Sequence, residues 1–289
     1  MRSIIIAFVL LGTLNVFAQN FNEKISTKLQ TQIRTEGGME NYLIWVDFND
    51  KGNDLQKYFN NPETVVTQRS LERRSKVLDK SNLIKYSDLP VNQNYIQQLV
   101  QDGFVVKQKS KWFNSVSGYA TLDVINRISQ YPFVKLLDVV GVYASKKDNI
   151  EFQKIENFKS NLIQPEGIHS LNYGASFAQL NQINVPAVHD SGYNGAGIMI
   201  CVMDAGFSNL THEVFSSMNI ASTYDFATHS PNLTGHSHGT ATLSLIGGFK
   251  QGELIGPAYG ATFLLARTEV DPGETPQEED NWIAAMEWA

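Results

Sequence analysis

Polar chain gives way to an apolar run from Tyr42 to Phe48, which predicts a strand over 42–48. Before it, residues 20–40 are polar without a clear period and Gly37-Gly38 mark a break, so ordered chain is expected from about residue 41. After it, Ile96, Leu99 and Val100 share one face of a helix predicted over 91–102, and Gly103 separates that helix from a strand over 104–109. The same order then repeats. An extended stretch from Trp112 to Thr121 leads to a short helix carrying Val124, Ile125 and Ile128, which stops before Pro132, and a strand follows over 134–140. The sum is β-α-β-β-α-β, the split βαβ order, with residues 50–90 as a charged, partly helical insertion. Arg69, Arg73 and Arg74 in that insertion read as a solvated helix face.

A polar connection over about 145–167, rich in Lys, Asn, Gln and Glu, closes this region. Beyond it the pattern changes to strands alternating with helices. The apolar run Ile198 to Met203 predicts a parallel strand buried on both faces, ended by Asp204 and the turn at Gly206. A helix over about 239–246, closed by Gly247 and Gly248, leads to a strand over 262–266, and together they form a βαβ unit. Thr275, Pro276 and Glu278 then occupy the N-cap, N1 and N3 positions of a last helix, whose apolar stripe is expected to be Trp282, Ala285, Met286 and Ala289. A stripe with no further sheet to cover suggests a domain that is cut off.

A length of 289 residues allows about two domains. The formal charge of −6 comes without a basic stripe, so nucleic acid is not an expected partner. Arg2, the apolar run Ile4 to Leu11 and the small-residue ending Val16-Phe17-Ala18 read as a secretory signal over 1–18, cleaved before Gln19, which points to a secreted protein. No later segment is apolar enough to cross a membrane. With Cys201 as the single cysteine, no disulfide forms within the chain, and its place in an apolar strand makes it a small buried hydrophobe.

Two positions carry candidate chemistry. Ligands of open α/β sheets gather beyond the carboxyl ends of the strands, where Asp204 stands. His238 opens the run HGTATLSLIGG and shares a helical stripe with Ala241, Thr242, Leu245 and Ile246, which would turn its imidazole toward the sheet and over Asp204. A carboxylate so placed fixes the imidazole tautomer and leaves the other nitrogen free to take a proton from a serine. A metal site built on the His236/His238 pair with His229, Asp204 and Asp225 is the weaker alternative, since histidines two apart suit a strand better than a helix start. His236 is expected to line the cleft or cap the helix. The acidic group Glu269, Asp271, Glu274, Glu278, Glu279 and Asp280 lacks the alternating ligands of a calcium loop and reads as a solvated helix start favoured by the macrodipole.

The stretches NGAGIMICVMDAGF (Asn194 to Phe207), SHGTATLSLIGG (Ser237 to Gly248) and GPAYGATFLLARTE (Gly256 to Glu269) resemble subtilisin-like serine peptidases in content and order. KWFNSVSGYAT from Lys111 and YPFVKLLDVV from Tyr131 resemble the propeptides that precede such catalytic domains. The resemblance implies an α/β protein: an α+β ferredoxin-like propeptide domain over 41–145, then the N-terminal part of a subtilisin-like parallel-sheet domain over 168–289. It implies peptide-bond hydrolysis of protein or peptide substrates, with Asp204 as the triad aspartate and His238 as the general base. The propeptide would template folding and inhibit the enzyme from within the chain. Ala205 and Ala241 depart from the family's commonest threonine and histidine.

The family's nucleophile sits in a Gly-Thr-Ser motif, and neither Gly12-Thr13 nor Gly239-Thr240 is followed by serine. The serine is therefore expected beyond residue 289, and these residues alone should be inert. No organic cofactor is implied. Calcium is common in the family, but no ligand set is assignable here. The alternative reading is a non-catalytic, secreted propeptide-like inhibitor or binding protein on a dead peptidase scaffold.

Overall fold

In the computed structural model the described residues are 21–36, 39–141, 167–233, 235–270 and 277–289. The expected signal segment, the polar connection over most of 145–167 and the capping residues Thr275 and Pro276 lie outside them. Order begins earlier than expected. Ile25, Leu29 and Ile33 recur every fourth residue and are buried, so Thr27–Thr35 forms a helix (α1) capped by the Ser26 side chain, which accepts from the Leu29 amide. Residues 24–26 run beside the strand that carries Leu137 and exchange backbone bonds with it at 2.7 and 2.9 Å. Three apolar residues among polar ones are too sparse to register as a period. Once docked, full burial of a leucine or isoleucine contributes roughly 1.5–3 kcal/mol, enough to hold a helix too short to persist alone.

The first sheet contains β1 (Tyr42–Phe48), β2 (Val105–Ser110), β3 (Ser115–Ala120) and β4 (Val134–Val139), antiparallel throughout in the order β2-β3-β1-β4. Between β1 and β2 come α2 (Gln56–Asn60), α3 (Gln68–Ser75) and α4 (Gln93–Gln101); α5 (Leu122–Ile128) joins β3 to β4. Tyr42, Ile44, Val46 and Phe48 alternate inward and pack with Leu29, Ile33, Ile96, Leu99, Ile125 and Ile128. The opposite face of the sheet is mixed, with Asp47, Ser115 and Ser117 beside Trp45 and Tyr119 on adjacent strands. The extended stretch expected from Trp112 is corrected over 112–114, which belong to a turn. Asn114 adopts φ 56°, a conformation asparagine tolerates, and its side-chain amide donates to the Phe48 and Asp50 carbonyls. Arg74 is not solvated as expected: its guanidinium donates two bonds, of 2.7 and 2.9 Å, to buried Asp88. Burial works to raise the Asp88 pKa, but Arg74 and the Lys85 amide hold it below the ordinary carboxylate value.

The second region opens with α6 (Phe177–Gln182) and α7 (Val185–Asp190), then β5 (Met199–Asp204), β6 (Asn219–Asp225), α8 (His238–Gly247), the short hairpin β7 (Phe249–Lys250) and β8 (Leu254–Ile255), β9 (Thr262–Arg267) and α9 (Gln277–Trp288). β5, β9 and β6 form a parallel sheet in that order, so central β9 is the strand buried on both faces. β5, expected in that role, is an edge strand among the described residues, with only Val202 and Asp204 buried. β6 went unforeseen because its sequence, NIASTYD, mixes polar and apolar residues as an exposed edge permits. Cys201 is half-buried, not fully buried as expected, and burial pushes its thiol up to about 11.

The stripe expected on α9 is corrected too. Asp280, Asn281, Ala284 and Ala285 are buried, while Trp282 and Met286 are exposed. The helix is wedged between the two sheets: Ala284 and Ala285 pack with Phe226 and Ala266, and Asp280 and Asn281 meet Lys107 and Gln108 of the first sheet. Asp280 is therefore no part of a solvated helix start.

Candidate active site

The parallel register aligns Asp204, Arg267 and Asp225 across the carboxyl ends of β5, β9 and β6. Central Arg267 donates to the Asp225 carboxylate at 2.9 Å and to the Ala205 carbonyl at 3.0 Å, which ties down the turn that follows Asp204. Asp225 is buried and also accepts from the Ala227 and Thr228 amides. Arg267 was not anticipated. Its position, the last residue of an apolar strand, is the same signal that singled out Asp204.

Asp204 is 5% exposed, and its Oδ1 accepts from the Ala205 amide at 2.7 Å. The same oxygen lies 2.8 Å from His238 Nδ1. The two residues thus meet, though not as the helical stripe implied. On α8 the buried residues are Gly239, Thr240, Leu243 and Gly247, whereas Leu245 is 65% exposed. His238 is the first residue of the helix and reaches the carboxylate from its end, with its own side chain about half exposed. Gly206, at φ 153°, and Gly239 let the turn and helix start approach this closely, since a Cβ on Gly206 would stand 2.6 Å from the His236 amide nitrogen.

The hydrogen bond to Asp204, reinforced by that residue's charge and opposed by slight desolvation, raises the His238 pKa above the ordinary value, and Glu269 adds to the rise. With Nδ1–H donated to Asp204, Nε2 is left to accept a proton. His236 acts as a local cap, its Nδ1 accepting from the His238 amide at 3.1 Å. Among the described residues no three His, Cys, Asp or Glu side chains gather as a metal-ligand set, and Asp225 is engaged by Arg267. Of the acidic group, Asp271 and Glu274 lie outside the described residues. A cavity of about 440 Å³ against α8 is lined by Asn209, His212, Ser237, Thr240 and Ser244, and includes neither Asp204 nor His238.

Comparison with known families places the first region. Residues 43–157 match the Peptidase S8 propeptide domain of Bacteroidota. A propeptide domain of this family implies a subtilase-related protein. Residues 142–157 of the match lie outside the described ones, and Asp204 and His238 lie beyond the match itself. None of the curated proteins matches the chain.

The propeptide domain docks on α9 through its β2–β3 end. Glu287 accepts from Ser110 Oγ at 2.6 Å and from the Lys111 and Trp112 amides at 2.9 and 3.1 Å, so one carboxylate satisfies three donors of the turn. At the other end of the helix, Glu279 accepts from the Gly141 amide at 2.6 Å, where β4 has just ended. Glu279, read from the sequence as part of a solvated helix start, is thus corrected to an interface acceptor, and Glu287 was missed, because both act by hydrogen bonding across the interface. Among the described residues no helix is long and apolar enough to cross a membrane.

Proposed function

We propose that the chain is the propeptide-bearing portion of a secreted subtilisin-like serine endopeptidase: residues 1–18 a signal peptide, then a ferredoxin-like inhibitory propeptide, then the start of the catalytic domain. The observation that carries the reading is the 2.8 Å contact between His238 Nδ1 and Asp204 Oδ1, at the carboxyl end of a parallel sheet and on a propeptide-bearing chain.

In this reading Asp204 holds the imidazole in one tautomer and stabilises the imidazolium. His238 Nε2 takes the proton of a serine hydroxyl as it attacks the peptide carbonyl, then delivers that proton to the leaving amine. Protein or peptide substrates are cleaved by acyl transfer, with no organic cofactor. No Gly-Thr-Ser occurs among the 289 residues, so this reading assigns the nucleophile to none of them. Docking of the first sheet on α9 supports an inhibitory role for the propeptide.

The test is fluorophosphonate labelling and casein hydrolysis by the full gene product, beside His238→Ala. Labelling together with hydrolysis that falls roughly 10⁴-fold or more on substitution is expected. Silence in both proteins would replace this reading with that of an inert, propeptide-bearing binder.

A further inference from the structure

Lys107 of β2 and Asp280 of α9 form an ion pair at 2.6 Å, with side chains 6% and 0% exposed. The ammonium also donates to Asn281 Oδ1 at 2.8 Å, and the second Asp280 oxygen accepts from Ser117 Oγ. Gln108, next along β2, joins the same group: its side-chain amide donates to Asn281 Oδ1 at 2.9 Å and to the Phe226 carbonyl at 3.1 Å. Successive residues of a regular strand point to opposite faces, so Lys107 and Gln108 could not normally reach one helix together. The β2–β3 register slips between Val106 and Gln108, and a bulge of this kind re-aims a side chain. The fold interrupts its own ladder to bring a cation to α9.

A buried ion pair adds little to stability compared with an apolar pair of the same volume, yet losing one partner is costly because the other charge stays buried and unpaired. Its effect is therefore discrimination. We propose that Lys107 and Asp280 form a pairing code that fits this propeptide to a peptidase helix presenting a buried carboxylate followed by asparagine, and turns it away from helices that lack one. The inference rests on the propeptide–peptidase reading and adds the partner feature that is recognised: an Asp-Asn pair on the docking helix. Gln108 and Asn281 extend the code by one neutral pair, and Asn281 is held in turn by its own bond to the Thr268 carbonyl at 3.1 Å.

The test uses the whole 289-residue chain and amide hydrogen exchange. The Lys111, Trp112 and Gly141 amides are bonded across the interface, so their exchange reports undocking, whereas the Ile44 amide reports opening of the propeptide sheet. Lys107→Met and Asp280→Leu each stand in for a mismatched partner. Each should speed exchange of the three interface amides by about 100-fold while Ile44 is unchanged, and the double variant should return to within about tenfold of the parent. Interface amides that stay within about threefold of the parent in the single variants, or a double variant as fast as the singles, would overturn the code. Ile44 accelerating in step would overturn it as well, since the pair would then hold the sheet rather than the docking. Exchange is blind to catalysis, so failed fluorophosphonate labelling would sink the enzymatic reading and leave this result standing.

Discussion

Gly239 stands so close to Asp204 that a Cβ built on it would lie 2.9 Å from the aspartate Cβ, and 2.5 Å from the Gly206 carbonyl oxygen. Both distances fall below contact, and neither obstacle is a flexible side-chain end. An alanine inside a helix normally gains about 1 kcal/mol over glycine. Here overpacking outweighs that gain, costing roughly 1–3 kcal/mol as α8 is pushed off the turn after β5. Gly239→Ala should therefore lower the unfolding temperature and bring the His238 pKa back toward its ordinary value, as read from the ring proton resonances. An alanine variant as stable as the parent, with His238 titrating as before, would show that the approach is looser than these distances imply.

The His238 titration also has a sign. Its folded pKa is raised above the ordinary 6.5, chiefly by the Asp204 hydrogen bond. The stabilisation from this pair is thus fully present below pH 6.5 and fades as pH rises through the folded pKa. Asp204→Asn should move the ring titration down and remove the fall in stability within that window, by a small amount because the imidazole is about half exposed. Ring titration by NMR with parallel denaturant melts at several pH values checks both. An unchanged midpoint in the variant would mean that Asp204 does not set the His238 pKa.

What could be read in advance divides along physical lines. The order of β1, α4, β2, β3, α5 and β4 was legible because their apolar residues face one core and repeat at two or at three and four, with Gly103 and Pro132 as punctuation. Asp204 drew notice from its place at the end of an apolar strand, and His238 from the run HGTATLSLIGG that it opens and the stripe it was expected to share; the structure brings the two together from the helix end instead. The orientation of α8 was not, since small residues such as Gly239 and Gly247 are buried there by close approach rather than by hydrophobicity. α9 was misread for the opposite reason: Asp280 and Asn281 are buried because Lys107, Ser117 and Gln108 wait across the interface, and those partners lie more than 160 residues away in the chain. Periodicity reports a residue's own preference and is silent on distant partners.

Lys51 tests the same point through pH. Its side chain is 4% exposed, with the ammonium donating to the Leu89 carbonyl and, at 2.6 Å, to the Lys111 carbonyl, and it sits over the Tyr86 ring. It thereby joins the chain preceding α4 to the β2–β3 turn that Glu287 caps. Burial lowers its pKa from 10.5 to about 8, against the opposing pull of Glu287 and Asp88. The folded protein then binds fewer protons than the unfolded chain between those two values, so stability rises with pH across the window, and the burden is fully present below pH 8. The gain is bounded at about 3 kcal/mol and should reach on the order of 1 kcal/mol or more. Denaturant melts of the parent and Lys51→Met from pH 7 to 10 isolate this group, because the other lysines cancel in the difference. The parent should gain on the variant as pH rises through 8. A difference that stays level would mean that the buried ammonium keeps its proton at no cost, and that its two carbonyl bonds fully replace the water it gave up.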